Sequence, residues 1–215
     1  MALVCDTVDN MAWGSVYVKR QWRRKEPPIE ETVEAIQKYQ PKVVLLSGGG
    51  NDIAGPELSA LLNHSSSGLP MFRISYMDFL FNDYFKRAYE TIMSRIWEVD
   101  SNIHIITQGY GYARPDGTPV RKFGIPTWIG PWLRPYMTEK GYTDLSTRQK
   151  IVNALIDRLN MMLLDLAKNK PNLHHLDFRD EIQKEEWANE LHLTNSGYRK
   201  ISDQYHNLIQ DIIHS

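Results

Sequence analysis

Residues 43–52 read Val43-Val44-Leu45-Leu46-Ser47-Gly48-Gly49-Gly50-Asn51-Asp52, and the fold is read outward from them. The run at 42–46 is short, apolar and rich in branched side chains, with Pro41 on one side and three glycines on the other. A strand covered on both faces reads this way, because neither face meets water. Glycine adopts backbone dihedrals closed to other residues, so 47–50 can turn tightly and bring main chain close to a ligand. Asn51 and Asp52 then fall just past the strand's carboxyl end, the edge of an open parallel sheet where ligands bind.

A glycine-rich loop in this position has three readings. A phosphate cradle calls for Lys-Ser/Thr after the glycines or a Gly-x-Gly-x-x-Gly spacing, and neither is present. A plain tight turn is the second reading. The third is a catalytic loop, in which Gly49 offers an N–H and Asn51 a side-chain amide to a developing oxyanion.

Strands and helices alternate around this stretch. Further short apolar runs stand at 2–5, 103–107 and 173–178. Between them, 30–39 is made of helix formers, with Ile29, Val33 and Ile36 at helical spacing, and Pro56 suits the first position of a short helix at 57–62. A long helix is expected over 78–99, with Phe81, Tyr84, Phe85, Ala88, Ile92 and Ile96 on one stripe. Asp144 can cap a helix over 145–168, and Thr194 or Asn195 can cap a final one carrying Tyr198, Ile201, Tyr205, Leu208 and Ile212. Residues 9–24 are weakly helical, and the basic run 20–25 reads as a solvated face. The order implies one domain over 1–215, an α/β/α sandwich on a parallel, flavodoxin-like sheet with right-handed crossovers.

Composition narrows the function. Hydrophobic residues are 42% and charged residues 24% of 215, enough for a sizeable core. A net charge of −1 offers no bulk attraction to nucleic acid or to an anionic membrane. No apolar run approaches the ~18 residues of a membrane span, and no signal-peptide pattern is visible. The single cysteine, Cys5, excludes an internal disulfide framework and a cysteine-built zinc site. No cofactor or metal is expected.

In a parallel sheet every strand-to-helix loop emerges on one rim, so 5–7, 48–52, 108–142 and 179–193 share an edge. The second of these holds Asn51 and the last holds His192. An imidazole beside an amide donor forms most of an acyl-transfer site. His174 and His175 resemble a metal pair but alternate across a strand, so they face opposite sides. Residues 108–142 are rich in glycine, proline and aromatics without sustained period, a long loop of the kind that shapes a binding site.

At this point the sequence resembles the SGNH (GDSL-type) esterases and lipases. Residues 46–52 are similar to the family's Gly-x-Asn-Asp block, and Asn189-Glu190-Leu191-His192 with Gly197-Tyr198 to its final Asp-x-x-His block. Asp6-Thr7-Val8 with Met11 resembles the second block of one subgroup. Pro115-Asp116-Gly117 and Gly130-Pro131-Trp132-Leu133 resemble that subgroup's long loop. The resemblance implies a cofactor-free hydrolase of small acyl or acetyl esters, with His192 as general base and Asn51 and Gly49 in the oxyanion hole. The alternative is an inactive binding module that keeps the pocket for a glycan or lipid.

Three departures follow from the same comparison. The Gly-Asp-Ser block with the nucleophile does not occur here, and by the family pattern it falls upstream of Cys5 together with a central first strand. Either that segment precedes this sequence, or 2–5 slides into the central slot and Asp6-Thr7 stands in for Asp-Ser with Thr7 as nucleophile. The spacing from Thr7 to Asn51 suits the second block and favours the first account; Ser15 is a weaker candidate than Thr7. Cys5 stands where the second block has its oxyanion-hole glycine, a position where a backbone N–H survives. Asn189 stands where an acid orients the histidine, with Glu186, Glu190 and Asp180 as nearby substitutes and a backbone carbonyl as a further one. A small-molecule ester is the expected partner, and a sheet short of a middle strand would leave edges open to oligomerisation.

Overall fold

The computed structural model describes residues 1–4, 8–13, 28–122, 125–126 and 129–214. Strands β1 (Ala2–Val4), β2 (Val43–Ser47), β3 (His104–Gln108) and β6 (Leu173–Leu176) form a parallel sheet in the order β1-β2-β3-β6. A two-residue antiparallel ribbon, β4 (Arg121–Lys122) and β5 (Ile125–Pro126), stands apart in the long loop. The helices are α1 (Val8–Trp13), α2 (Pro28–Tyr39), α3 (Pro56–Leu61), α4 (Ile74–Phe79), α5 (Lys86–Val99), α6 (Arg134–Glu139), α7 (Leu145–Ala167) and α8 (Asn195–His214).

Strand order and handedness fix the layers. Each strand lies beside the previous one in the same direction, so right-handed crossovers put every connecting helix on one face. Register confirms which residues point there. Val44 pairs with Ile105 and Ile105 with Leu173, all buried in the main core with α5 and α7. Among the described residues only α8, which follows the last strand, is left for the other face, where Tyr205 donates to Gln108 at 3.0 Å and packs on Phe178. Its apolar positions Ile201, Leu208 and Ile212 are half-buried.

The spacing from Thr7 to Asn51 favours a central strand between the first two, but the structure pairs β1 directly with β2, in the register Leu3 with Leu46. The expected helix over 78–99 starts earlier, at Ile74, and passes through a π-helical stretch, Leu80–Phe85, where Phe81 and Phe85 meet edge to face at 5.3 Å. Of the weakly helical stretch 9–24, residues 9–13 stand in α1; the rest of it and the basic run 20–25 lie outside the described residues, as do Cys5, Asp6, Thr7 and Ser15. Asp144 caps α7 as expected, accepting from the Thr147 N–H at 2.7 Å.

His175 sits on the crossover face, between Thr107 Oγ1 at 3.2 Å and Asn160 Oδ1 at 3.0 Å. Asn160 spends its amide hydrogens on the Ile156 carbonyl, so its oxygen accepts from His175. Burial pushes the His175 imidazole down to about 4. A depressed histidine contributes stability that is complete above its unfolded value near 6.5 and is lost as pH falls toward 4. The unfolding free energy should therefore drop by about 3 kcal/mol from this residue alone between pH 7 and pH 4. Urea titrations at the two pH values check this, because in His175→Gln that part of the drop disappears.

Candidate active site

The glycine turn is held from three directions. Gly49 has φ of 89°, in the left-handed region, and a Cβ there would lie 3.1 Å from Leu159 Cδ1. The Gly48 carbonyl accepts from the Tyr89 hydroxyl of α5 at 2.9 Å and from the Tyr110 hydroxyl of the long loop at 3.0 Å. Behind them Gln108 donates to Ser47 Oγ at 2.8 Å while accepting from Tyr205. Burial raises the Tyr205 phenol above its ordinary value, so it stays protonated and donates. Beyond the turn, Asn51 is exposed on the cleft wall, whereas Asp52 is buried and accepts from the Val8 N–H at 3.1 Å, at the first residue of α1.

His192 is carried by a loop that closes on itself. A one-turn 3-10 helix, Lys184–Glu186, is capped reciprocally by Gln183 and Glu186, and Glu186 also accepts from Lys200 at 2.9 Å. The Ala188 N–H donates to the His192 carbonyl at 2.8 Å. Asn189 is buried, and its Oδ1 lies 3.0 Å from the Leu191 N–H, 2.9 Å from the His192 N–H and 3.0 Å from His192 Nδ1. An atom that takes two backbone N–H groups is the amide oxygen, so Nδ1 must carry the proton and donate to it. The lone pair then sits on Nε2. Asn189 thus supplies the orienting acceptor expected of an acid, without a charge.

Glu190 is fully buried and has a different task. Its carboxylate accepts from four backbone N–H groups: Gly117 at 2.9 Å, Trp132 at 2.6 Å, Leu133 at 2.7 Å and Arg134 at 3.0 Å. Burial pushes the carboxyl up from its ordinary value, against the opposing pull of these donors. One side chain thereby pins both arms of the long loop, 115–117 and 130–134, beside His192. The Trp132 ring lies edge-on to the imidazole, 5.3 Å between centroids. Of the substitute acids considered for His192, Glu190 and Glu186 are both engaged elsewhere, and the acceptor at Nδ1 is Asn189 itself.

These parts wall a single cleft of about 760 Å³. Gly49 and Asn51 line it from the turn, His192 and Trp132 from two adjoining loops, and Val152 and Ile156 from α7. The sequence matches the GDSL-like lipase/acylhydrolase family over residues 6–200. The chain belongs to this family. That membership gives it an ester-hydrolase lineage, in line with the Gly-x-Asn-Asp and histidine blocks that share the cleft.

No curated protein matches the chain. Among solved structures it is similar to a family 3 carbohydrate esterase of Clostridium thermocellum, with 15% identity and a TM-score of 0.45 over 86% of this chain and 65% of that one. A family 3 carbohydrate esterase of Talaromyces cellulolyticus gives 11% identity and a TM-score of 0.45 over 87% and 67%. The salicylyl-acyltransferase SsfX3 of a tetracycline biosynthetic pathway gives 12% and 0.40 over 84% and 40%. The chain thus spans less than two thirds of the length of the first.

The histidine pair separates as the alternation requires. His175 faces α7, while His174 stacks on His104 from the other face of the sheet, 2.9 Å between Nε2 and Nδ1. Burial, then the neighbouring His104, lowers the His174 imidazole. Among the described residues no group of three His, Cys, Asp or Glu side chains could hold a metal, and no helix is long and apolar enough to cross a membrane. Sequence reading missed the His104–His174 contact and the role of Glu190. A signal existed for the second, since an acid beside the orienting residue of a family block has to find partners when buried.

Proposed function

We propose that this chain hydrolyses carboxylic esters through an acyl-enzyme, with His192 as general base and Asn51 and the Gly49 N–H as oxyanion donors. The observation that carries the reading is the Asn189 oxygen, which commits His192 Nδ1 to donate and leaves the lone pair on Nε2, in a ring that lines the same cleft as Asn51. Asn189 is the positioning residue for that imidazole. The hydroxyl assigned to the attack is Thr7, which lies outside the described residues. Two facts support it: its neighbour Val8 is bonded to Asp52, and Asp52 adjoins Asn51.

The chemistry runs on these groups alone. His192 Nε2 takes the hydroxyl proton as the oxygen adds to the ester carbonyl, and the tetrahedral oxyanion forms against the Asn51 amide and the Gly49 N–H. Collapse expels the alcohol, to which His192 returns the proton. Water, deprotonated by the same nitrogen, then adds to the acyl carbonyl, and His192 returns that proton to the Thr7 oxygen as the acyl–oxygen bond breaks and the acid leaves. Asn51→Ala should lower kcat on p-nitrophenyl butyrate by about 10²- to 10³-fold with a much smaller change in KM, since the oxyanion exists only in the transition state. A change confined to KM would remove Asn51 from that role.

A further inference from the structure

The peptide between Gly48 and Gly49 has glycine on both sides, so it can turn over at little steric cost. Turning it over exchanges its carbonyl and its N–H, and with them what the turn offers to a ligand. In this chain the carbonyl is taken twice. The Tyr89 hydroxyl donates to it at 2.9 Å from α5 and the Tyr110 hydroxyl at 3.0 Å from the long loop, one donor for each lone pair. Across a planar trans peptide the N–H points opposite to the C=O, so the Gly49 N–H is aimed away from both phenols. Gly49 is buried and lines the cleft, yet among the described residues its N–H has no hydrogen-bond partner.

The need for an acceptor explains only half of this arrangement. Tyr89 is fully buried, and its hydroxyl has to find one. Tyr110 is half-buried and lines the cleft, where water would serve, but it donates to the same carbonyl. Its ring is held against the turn: a Cβ at Gly50 would lie 2.9 Å from Tyr110 Cζ, so a larger residue there would displace the phenol. We propose that Tyr89 and Tyr110 are positioning residues that fix the 48–49 peptide with its N–H presented to the oxyanion, so that the long loop sets part of the oxyanion hole. Donors on the carbonyl also polarise the peptide and strengthen the N–H opposite. The proposal rests on the hydrolase reading for the word oxyanion, but the clamp itself is testable without turnover.

Tyr89→Phe and Tyr110→Phe each remove one bond and little volume. Each should lower kcat on p-nitrophenyl butyrate roughly five- to tenfold, the worth of one net hydrogen bond, with KM within about twofold. Affinity for octylphosphonate, a tetrahedral anion, should fall by the same factor, and the Gly49 amide resonance of the free ¹⁵N-labelled chain should move in both variants. Gly50→Ala, which displaces the Tyr110 ring, should reproduce the Tyr110→Phe loss. Tyr142→Phe is the control: it deletes a comparable bond, from a buried phenol to the Asn63 carbonyl at 3.0 Å, and should leave kcat and phosphonate affinity unchanged. Phosphonate affinity and the Gly49 amide unmoved in both tyrosine variants overturn the clamp, as does an equal loss in Tyr142→Phe. An unmodified chain that binds octylphosphonate but cleaves no ester overturns the hydrolase reading and leaves the clamp to stand or fall on those two readouts; one that binds no octylphosphonate overturns both.

Discussion

His192→Ala should reduce kcat/KM on p-nitrophenyl butyrate by about 10³-fold or more, the largest loss expected from any single change in this chain. The size follows from what Nε2 does: it moves a proton in both halves of the reaction, so no step of the cycle escapes its removal. Its partner gives a graded control. Asn189→Leu deletes the acceptor for three N–H groups at once, freeing the imidazole to rotate or to carry its proton on Nε2. A loss of about 10²-fold is expected there. Asn189→Asp keeps an oxygen in place for all three donors and should recover most of it. A residue that merely packed the loop would not distinguish leucine from aspartate in kcat while folding equally well, so circular dichroism melts of both variants accompany the kinetics.

The second large effect falls on stability. Glu190→Ala removes a fully buried acceptor shared by four backbone N–H groups, that of buried Leu133 among them. Orphaned buried donors cost on the order of 1–3 kcal/mol each before relaxation. A net destabilisation of about 4 kcal/mol is expected once the loop has rearranged, and at this chain length the melting temperature should fall by roughly 10 °C. Because Trp132 is bonded to Glu190 through its N–H and touches His192 through its ring, activity should fall as well. Glu190→Gln keeps one oxygen and should lose less on both counts. A shift of under about 2 °C in Glu190→Ala would show that the loop is held by something else.

Much of the scaffold was legible because burial leaves a mark on residue type. Val43–Leu46 is apolar on both faces, and Leu145–Ala167 repeats leucines at helical spacing; both elements stand where the pattern puts them, within a residue or two. The shared rim of Asn51 and His192 was legible too, since a parallel sheet sends all its strand-to-helix loops to one edge. What escaped the sequence depends on partners distant in the chain. The four donors to Glu190 come from two arms of one loop, and Tyr89 and Tyr110 reach Gly48 from separate elements. Periodicity records which face a residue turns inward, but not which atom waits there. The direct pairing of Ala2–Val4 with Val43–Ser47 has the same character, because a three-residue run specifies a strand and not its neighbour.

The central claim is that the Asn51 amide and the His192 imidazole serve one bound acyl group. Titrating the ¹⁵N-labelled chain with octylphosphonate, whose tetrahedral anion imitates the oxyanion, tests this without any nucleophile. The Asn51 side-chain amide and the His192 ring nitrogens should move together along one saturation curve with one Kd. Movement of only one of them, or two curves with different constants, would contradict the account.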